Sequence, residues 1–324
     1  MSIDAAHMQR ALRLGHRALG TTAENPPVGC VIAKGPEVLG VGWTHPSGRP
    51  HAETEALAMA GSAARGSTAY VTLEPCAHVG RTGPCARALA QAGVARVVIA
   101  CGDPDPRVNG QGVAMLREAG IAVEMGTPAG EPEDLAGFLT RVRHNRPLVL
   151  LKLAISPDGM IASGPGQRTQ ISGPAAQARV HLMRAHADAI LVGAGTLATD
   201  DPSLTCRLPD LETRSPQRFV AAKRIPAGAK CQPAEMLDTS SGLPAALAEL
   251  AERGINRLMV EGGAALARSF LMDGIVDEVV LIRSANDLGP QGVAAPLDEI
   301  HARFIIAGLE WLGPDRLIRY ERRG

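Results

Sequence analysis

His51-Ala52-Glu53, Pro75-Cys76 and Pro84-Cys85 constrain this chain more than any other segments, because together they read as one metal site. His51, Cys76 and Cys85 are candidate zinc ligands, and Glu53 lies two residues past the imidazole, placed to serve a bound water without occupying the metal. Zinc on three protein ligands keeps a fourth position open, which separates catalytic from structural sites. Each residue alone has a plainer reading: His51 as a satisfied histidine, the cysteines as buried thiols, His78 as the fourth ligand of a structural zinc. The combination outweighs these readings. The pattern opens a helix at residues 51–60, ends a strand of residues 69–73 at Glu74-Pro75-Cys76, and opens a second helix at residues 85–92. Helix N-termini and a metal both favour thiolates, and junctions at one end of an α/β sheet are where active sites sit. Glu53 is therefore expected to take a proton from water and return it to a leaving amine, in a hydrolytic loss of ammonia from an amidine-like ring carbon.

The rest of the chain supports an α/β architecture in two domains. Its 324 residues exceed one typical core, and 45% hydrophobic content with only 2% aromatics means cores built from Ala, Val, Leu and Ile. Strands are predicted at residues 28–33, 37–43, 69–73, 97–100 and 121–124, alternating with helices at 1–20, 51–60, 85–92 and 112–118, as a mostly parallel sheet. A charged, Pro- and Gly-containing stretch ends at Arg146-Pro147, so the domains are placed at 1–146 and 147–324. In the second, strands at 148–153, 189–192, 257–260 and 278–282 alternate with helices at 174–187, 243–253 and 264–271, and residues 208–241 read as irregular. Thirty-three Lys+Arg balance thirty-three Asp+Glu, which argues against a broad nucleic-acid face. No apolar run is long enough to span a bilayer, and six cysteines, two in metal spacing, point to a reducing cytoplasm. Cys30, Cys101, Cys206 and Cys231 read as ordinary thiols.

The zinc pattern is similar to the H-x-E and P-C-x-x-C signature of zinc nucleobase deaminases, except that eight residues separate Cys76 from Cys85. With Asn25-Pro26-Pro27-Val28-Gly29 and the run from Leu73-Glu74-Pro75-Cys76 through His78, Arg81 and Gly83 to Pro84-Cys85, it resembles the bifunctional riboflavin-biosynthesis deaminase/reductase family. The resemblance continues through Asp103-Pro104, Gly110, Leu151-Lys152-Leu153-Ala154, Asp158-Gly159, Leu191-Val192-Gly193, Thr196, Asp200 to Thr205 and Val260-Glu261-Gly262-Gly263, covering nearly the whole chain in order. It implies a cytidine-deaminase-like three-layer domain followed by a dihydrofolate-reductase-like domain. The implied reactions are deamination of 2,5-diamino-6-(5-phosphoribosylamino)pyrimidin-4-one, then NADPH-dependent reduction of the ribosyl group to ribityl. One zinc per chain, NADPH, a small phosphoribosyl pyrimidine as substrate and a homo-oligomer are implied, with neither nucleic acid nor membrane as partner.

The same resemblance implies site residues. Asn25, His45, Arg81, Asp103 and Asp105 would contact the deaminase substrate. Lys152, Ser172, Arg184, Leu204, Arg207 and Glu261 would contact the reductase substrate, the two arginines suiting its phosphate by their bidentate forks. Ala154, Gln170, Thr196, Asp200, Gly262 and Gly263 would hold NADPH, Asp200 together with Lys152 near the reacting sugar and the glycine turn presenting a helix N-terminus to a phosphate. From the residues alone, Lys152 interrupts an apolar strand, where an unpaired ammonium would be costly, so a polar site is expected there. The chain departs from the family at Gln170, where a Trp is usual, at Ser172 for Thr, at Arg168 for a small polar residue, and at Ala222, where a strand usually ends in Asp. Asp105 and Gly83 replace Asn and Pro. Two other readings stand beside this one: a deaminase of another nucleobase whose second domain binds a nucleotide without reducing anything, and a non-catalytic scaffold with a structural zinc.

Overall fold

The computed structural model describes residues 2–78, 83–126 and 130–323. Contacts divide the chain into two compact units, Met1–His144 and Asn145–Gly324. No helix among the described residues is long and apolar enough to cross a membrane.

The first unit runs α1 (Ile3–His16), β1 (Gly29–Lys34), β2 (Glu37–Trp43), α2 (Ala52–Ala60), β3 (Thr68–Val71), α3 (Cys85–Gln91), β4 (Arg96–Ile99), α4 (Gln111–Glu118), β5 (Ala122–Met125) and α5 (Ala136–His144). Its five strands lie in the order β2-β1-β3-β4-β5. The expectation of a mostly parallel sheet holds only for β3, β4 and β5. β1 runs antiparallel to both neighbours, because the short turn after it returns the chain directly as β2. Successive residues of β1 face opposite ways: Cys30 and Ile32 meet Ala52, Ala56, Leu89, Leu116 and Phe138, whereas Val31 and Ala33 meet Met8 and Ala11. Helices therefore cover both faces, making three layers. With so few aromatics, helix and sheet meet closely. A Cβ at Gly40 would fall 2.1 Å from the Ala56 carbonyl oxygen, and one at Gly42 would fall 2.2 Å from that of Ala52. The backbone of α2 rests directly on β2.

The second unit contains β6 (Leu148–Ile155), β7 (Met160–Ala162), α6 (Pro174–Ala185), β8 (Ala189–Gly193), α7 (Ala194–Asp200), β9 (Gln217–Ala221), β10 (Glu235–Met236), α8 (Leu243–Glu252), β11 (Arg257–Val260), α9 (Ala264–Met272), β12 (Glu278–Arg283), β13 (Val293–Ala294), α10 (Leu297–Arg303), β14 (Phe304–Leu312) and β15 (Asp315–Arg322). Eight strands form one sheet in the order β10-β9-β8-β11-β6-β12-β15-β14, parallel from β10 to β12 and antiparallel through the last hairpin. Leu151, Leu153, Val279 and Leu281 pack on one face with Leu247, Leu250 and Phe270; Ile190, Val192, Val280 and Ile282 pack on the other with Val180 and Met183. The segment expected to be irregular contains two strands of the sheet, β9 and β10.

Candidate active sites in the two units

Both units place a cavity at the C-terminal ends of their parallel strands, where side chains from successive loops converge. In the first, β3 leads into Leu73, Glu74 and Cys76, and β4 leads into the loop bearing Asp103, Asp105 and Arg107. With Asn25, Arg49, His51, Glu53, His78 and Arg141 these residues line a space of about 330 Å³. His51 is the N-cap residue of α2, so Glu53 falls in the first helical turn, where it is 4% exposed. Cys85 opens α3 and donates its backbone N–H to Cys76 Sγ at 3.3 Å. His51 Nδ1 lies 3.3 Å from Cys85 Sγ and 3.7 Å from Cys76 Sγ. Burial pushes the Glu53 carboxyl up to about 7, against the pull of His51. The Cys85 thiol holds Cys76 down at about 4, while Cys85 itself is raised by Cys76 and by burial.

The surrounding residues have distinct tasks. Glu74, buried, accepts the backbone N–H groups of Gly110 and Val113, both at 3.1 Å, and so ties the loop before α4 to the end of β3. Asp103 Oδ1 accepts the Asp105 N–H at 2.9 Å, and burial pushes its carboxyl up to about 6. Asp105 is held low chiefly by Arg107, whose guanidinium meets both of its oxygens.

In the second unit a cavity of about 690 Å³ is bounded by β6 through Lys152 and Ala154, by the turn after β11 through Glu261, Gly262 and Gly263, and by α6 and α7. A buried cluster of charges lies in its wall. Arg184 Nε and Nη2 donate to the two Glu261 oxygens at 2.6 and 2.9 Å, Arg184 Nη1 donates to Thr205 O at 3.1 Å, and Lys152 Nζ lies 3.8 Å from Glu261 Oε2. Burial works to raise the Glu261 carboxyl, but Arg184 and then Lys152 overcome it and hold it at about 2. Burial lowers Lys152 despite Glu261. The Gly263 N–H donates to Thr196 Oγ1 at 3.1 Å, fixing the turn that opens α9. Leu204, 1% exposed, adopts a left-handed backbone (φ 58°), strain of a kind that persists where surrounding packing over-determines the conformation.

Residues 147–315 match the family model of the RibD C-terminal domain, and residues 1–101 match that of the cytidine and deoxycytidylate deaminase zinc-binding region. The riboflavin biosynthesis protein RibD of Escherichia coli K12 is 39% identical, with 88% of this chain and 89% of that protein covered. The chain belongs to the RibD family. The RibD of Aquifex aeolicus is 35% identical with 99% of each chain covered. Among solved structures, Acinetobacter baumannii RibD superposes with a TM-score of 0.92 at 36% identity, covering 99% of both chains. A diaminohydroxyphosphoribosylaminopyrimidine deaminase/5-amino-6-(5-phosphoribosylamino)uracil reductase of Thermotoga maritima gives 0.87 at 31%, again over 99% of both. As a RibD protein the chain is a bifunctional deaminase and reductase of riboflavin biosynthesis, with a cytidine-deaminase-like first domain and a RibD-type reductase domain.

The first cavity suits the zinc of RibD deaminase domains. On a tetrahedral ion with ordinary bond lengths, nitrogen and sulfur ligands stand about 3.6 Å apart, and the gaps here are 3.3 and 3.7 Å. The ligand atoms of His51, Cys76 and Cys85 all lie within 4.8 Å of one another, and among the described residues His78 does not join that group. Three protein ligands leave a position open, and zinc bound there supplies the Lewis acidity that makes water nucleophilic at neutral pH.

The residues expected to bind substrate and NADPH fall as follows. Asn25, Asp103 and Asp105 line the first cavity. His45 does not: its ring stacks on Trp43, centroids 6.0 Å apart, with Nε2 3.3 Å from Glu55 Oε2. Arg81 lies outside the described residues. Lys152, Ser172, Arg184, Leu204, Arg207 and Glu261 all line the second cavity, as do Ala154, Gln170, Thr196, Asp200, Gly262 and Gly263. The expectation of a second phosphate fork needs correction, since Arg184 spends its fork on Glu261; Arg207, exposed, reaches Ser203 Oγ at 2.5 Å. Sequence reasoning missed Arg49, Arg107 and Arg141 in the first cavity and His181 and Lys230 in the second. Arg107 could have been found from its place in the loop Asp103-Pro104-Asp105-Pro106-Arg107, and Arg49 from its place two residues before His51.

Proposed function

We propose that the first unit deaminates 2,5-diamino-6-(5-phosphoribosylamino)pyrimidin-4-one and that the second reduces the ribosyl chain of the product to ribityl with NADPH. The observation that carries this reading is the convergence of the His51, Cys76 and Cys85 ligand atoms at a cavity that His51, Cys76 and the buried Glu53 line. Water adds to the ring carbon bearing the amine, Glu53 takes one of its protons and returns it to the departing nitrogen so that ammonia leaves, and the remaining hydroxyl proton passes to the ring nitrogen, leaving a carbonyl. Glu53 is buried in the first turn of α2, two residues past the His51 ligand, where one carboxyl can both accept and return that proton. Asn25, Asp103 and Asp105 orient the substrate, and Arg81 is assigned to its ribose-phosphate end.

In the second unit Lys152 and Asp200 stand at the reacting sugar, Arg207 meets its phosphate, and Arg184 shapes the wall through Glu261. Ser172 and Leu204 complete the substrate side; Ala154, Gln170, Thr196, Gly262 and Gly263 hold the cofactor. We place the functional boundary at residues 146 and 147, a reading supported by the division of contacts after His144 and by the family match starting at 147. A homo-oligomer is supported by Ile305, Ile306, Leu309 and Trp311, exposed on the sheet's last strand.

A coupled assay tests the scheme. Wild type should release ammonia from the diamino substrate and then oxidise NADPH. Glu53→Gln should retain one zinc per chain, lose deamination by about 10³-fold, and still oxidise NADPH when given the deaminated compound. Unchanged ammonia release in that variant refutes the role of Glu53.

A further inference from the structure

We propose that Asp315 is a positioning residue of the reductase cavity, holding from the turn between β14 and β15 the chain segment that carries Gln170 and Ser172 into α6. Asp315 begins β15, in the turn that joins it to β14, yet it is 3% exposed. Carboxylates are seldom so buried unless paired or hydrogen-bonded. Its Oδ2 accepts the backbone N–H of Gly173, 142 positions earlier in the chain, at 2.6 Å.

Gly173 is the N-cap of α6 and has no side chain with which to cap the helix; Pro174 follows in the first turn. The N-cap N–H, which a capping box satisfies with a Glu or Gln at the third helical position, here Ala176, is met instead by a carboxylate from a strand, whose charge also complements the positive end of the helix. One residue back, Ser172 lines the cavity, and its carbonyl oxygen accepts Gln177 Nε2 at 3.1 Å. The segment is thus held from α6 on one side and from Asp315 on the other. Further along α6, Val180, His181 and Arg184 form the cavity wall. His181 Nδ1 lies 3.1 Å from Thr205 O, and Arg184 grips Glu261. Asp315 does not line the cavity, so its influence on the substrate is exerted through Gly173.

This rests on the reductase reading above, and the two are separable: failure of wild type to oxidise NADPH would count against that reading, not against the anchor. The test uses the full chain with Asp315→Ala and Asp315→Asn, scoring both reactions of the same protein. For Asp315→Ala, KM for the deaminated ribosyl substrate should rise about tenfold with kcat within about twofold, as expected when a binding contact is misplaced. Ammonia release should be unchanged, and amides at residues 170–176 should exchange faster with solvent. Asparagine keeps an oxygen acceptor and should restore most of the KM. An unchanged KM in Asp315→Ala, or an Asp315→Asn variant no better than it, overturns the proposal. If Asp315→Ala fails to fold, Asp315→Ser, whose side chain is one atom too short to reach the Gly173 N–H, takes its place: a raised KM with faster exchange at 170–176 supports the anchor, and wild-type values for both overturn it.

Discussion

Replacing Glu261 by Gln tests the electrostatics of the reductase wall most directly. The carboxylate is the one anion between Arg184 and Lys152, with side-chain exposures of 11% for Arg184 and Glu261 and 13% for Lys152. A carboxyl held at about 2 instead of its ordinary 4.5 stabilises the folded state at neutral pH by about 3 kcal/mol. Breaking a buried pair by removing one partner costs about 3–5 kcal/mol, so the two routes agree in scale. For a unit of this size, about 3 kcal/mol lowers Tm by roughly 10 °C. Because the folded pKa lies below the unfolded one, this stabilisation is complete above about pH 4.5 and is lost as pH falls towards 2. Calorimetry of both proteins at pH 7 and pH 3 should therefore show a wide gap in the reductase transition at the higher pH and a narrower one at the lower. A gap that is absent at pH 7, or that widens on acidification, would refute the picture of Glu261 as the anion that makes two buried cations tolerable.

Three further perturbations address the deaminase unit. Gly48 has φ 82°, and a Cβ there would stand 2.0 Å from Asn25 Nδ2, so Gly48→Ala should displace Asn25 and raise KM for the diamino substrate by about tenfold while leaving NADPH oxidation intact. Chelation of the metal should abolish ammonia release and lower the Tm of the first unit, with NADPH oxidation of supplied deaminated substrate unaffected; Cys85→Ala should reproduce the loss of zinc, measured by elemental analysis.

The zinc centre was legible because every ligand comes from a short motif at the end of a regular element, and the strand and helix periods on either side place those ends together. The second cavity was legible at the level of residues but not of partners. Arg184 looked available for a phosphate, and only the fold brings Glu261 across from the turn after β11 to occupy its fork. The partners of His45, Trp43 and Glu55, were not legible because they belong to a strand and a helix whose contact no local pattern reveals. The hairpin of β14 and β15 escaped notice for a different reason. β14 is an edge strand with Ile305, Ile306, Leu309 and Trp311 exposed, so apolar and polar residues do not alternate along it as they would on a half-buried strand. Nor did anything in the residues around Gly313-Pro314 show that Asp315 folds back onto Gly173.

The contact of α2 with β2 through Gly40 and Gly42 bears on more than packing. Two of the deaminase residues, His51 and Glu53, ride on the first turn of that helix, so their distance from the sheet is set by main chain against main chain, with no adjustable side chain between. A joint of this kind has almost no play. It sets the height of the imidazole and the carboxylate above the sheet before metal or substrate arrives. The same joint makes the site brittle towards a single added methyl group at either glycine, although neither glycine would touch the substrate.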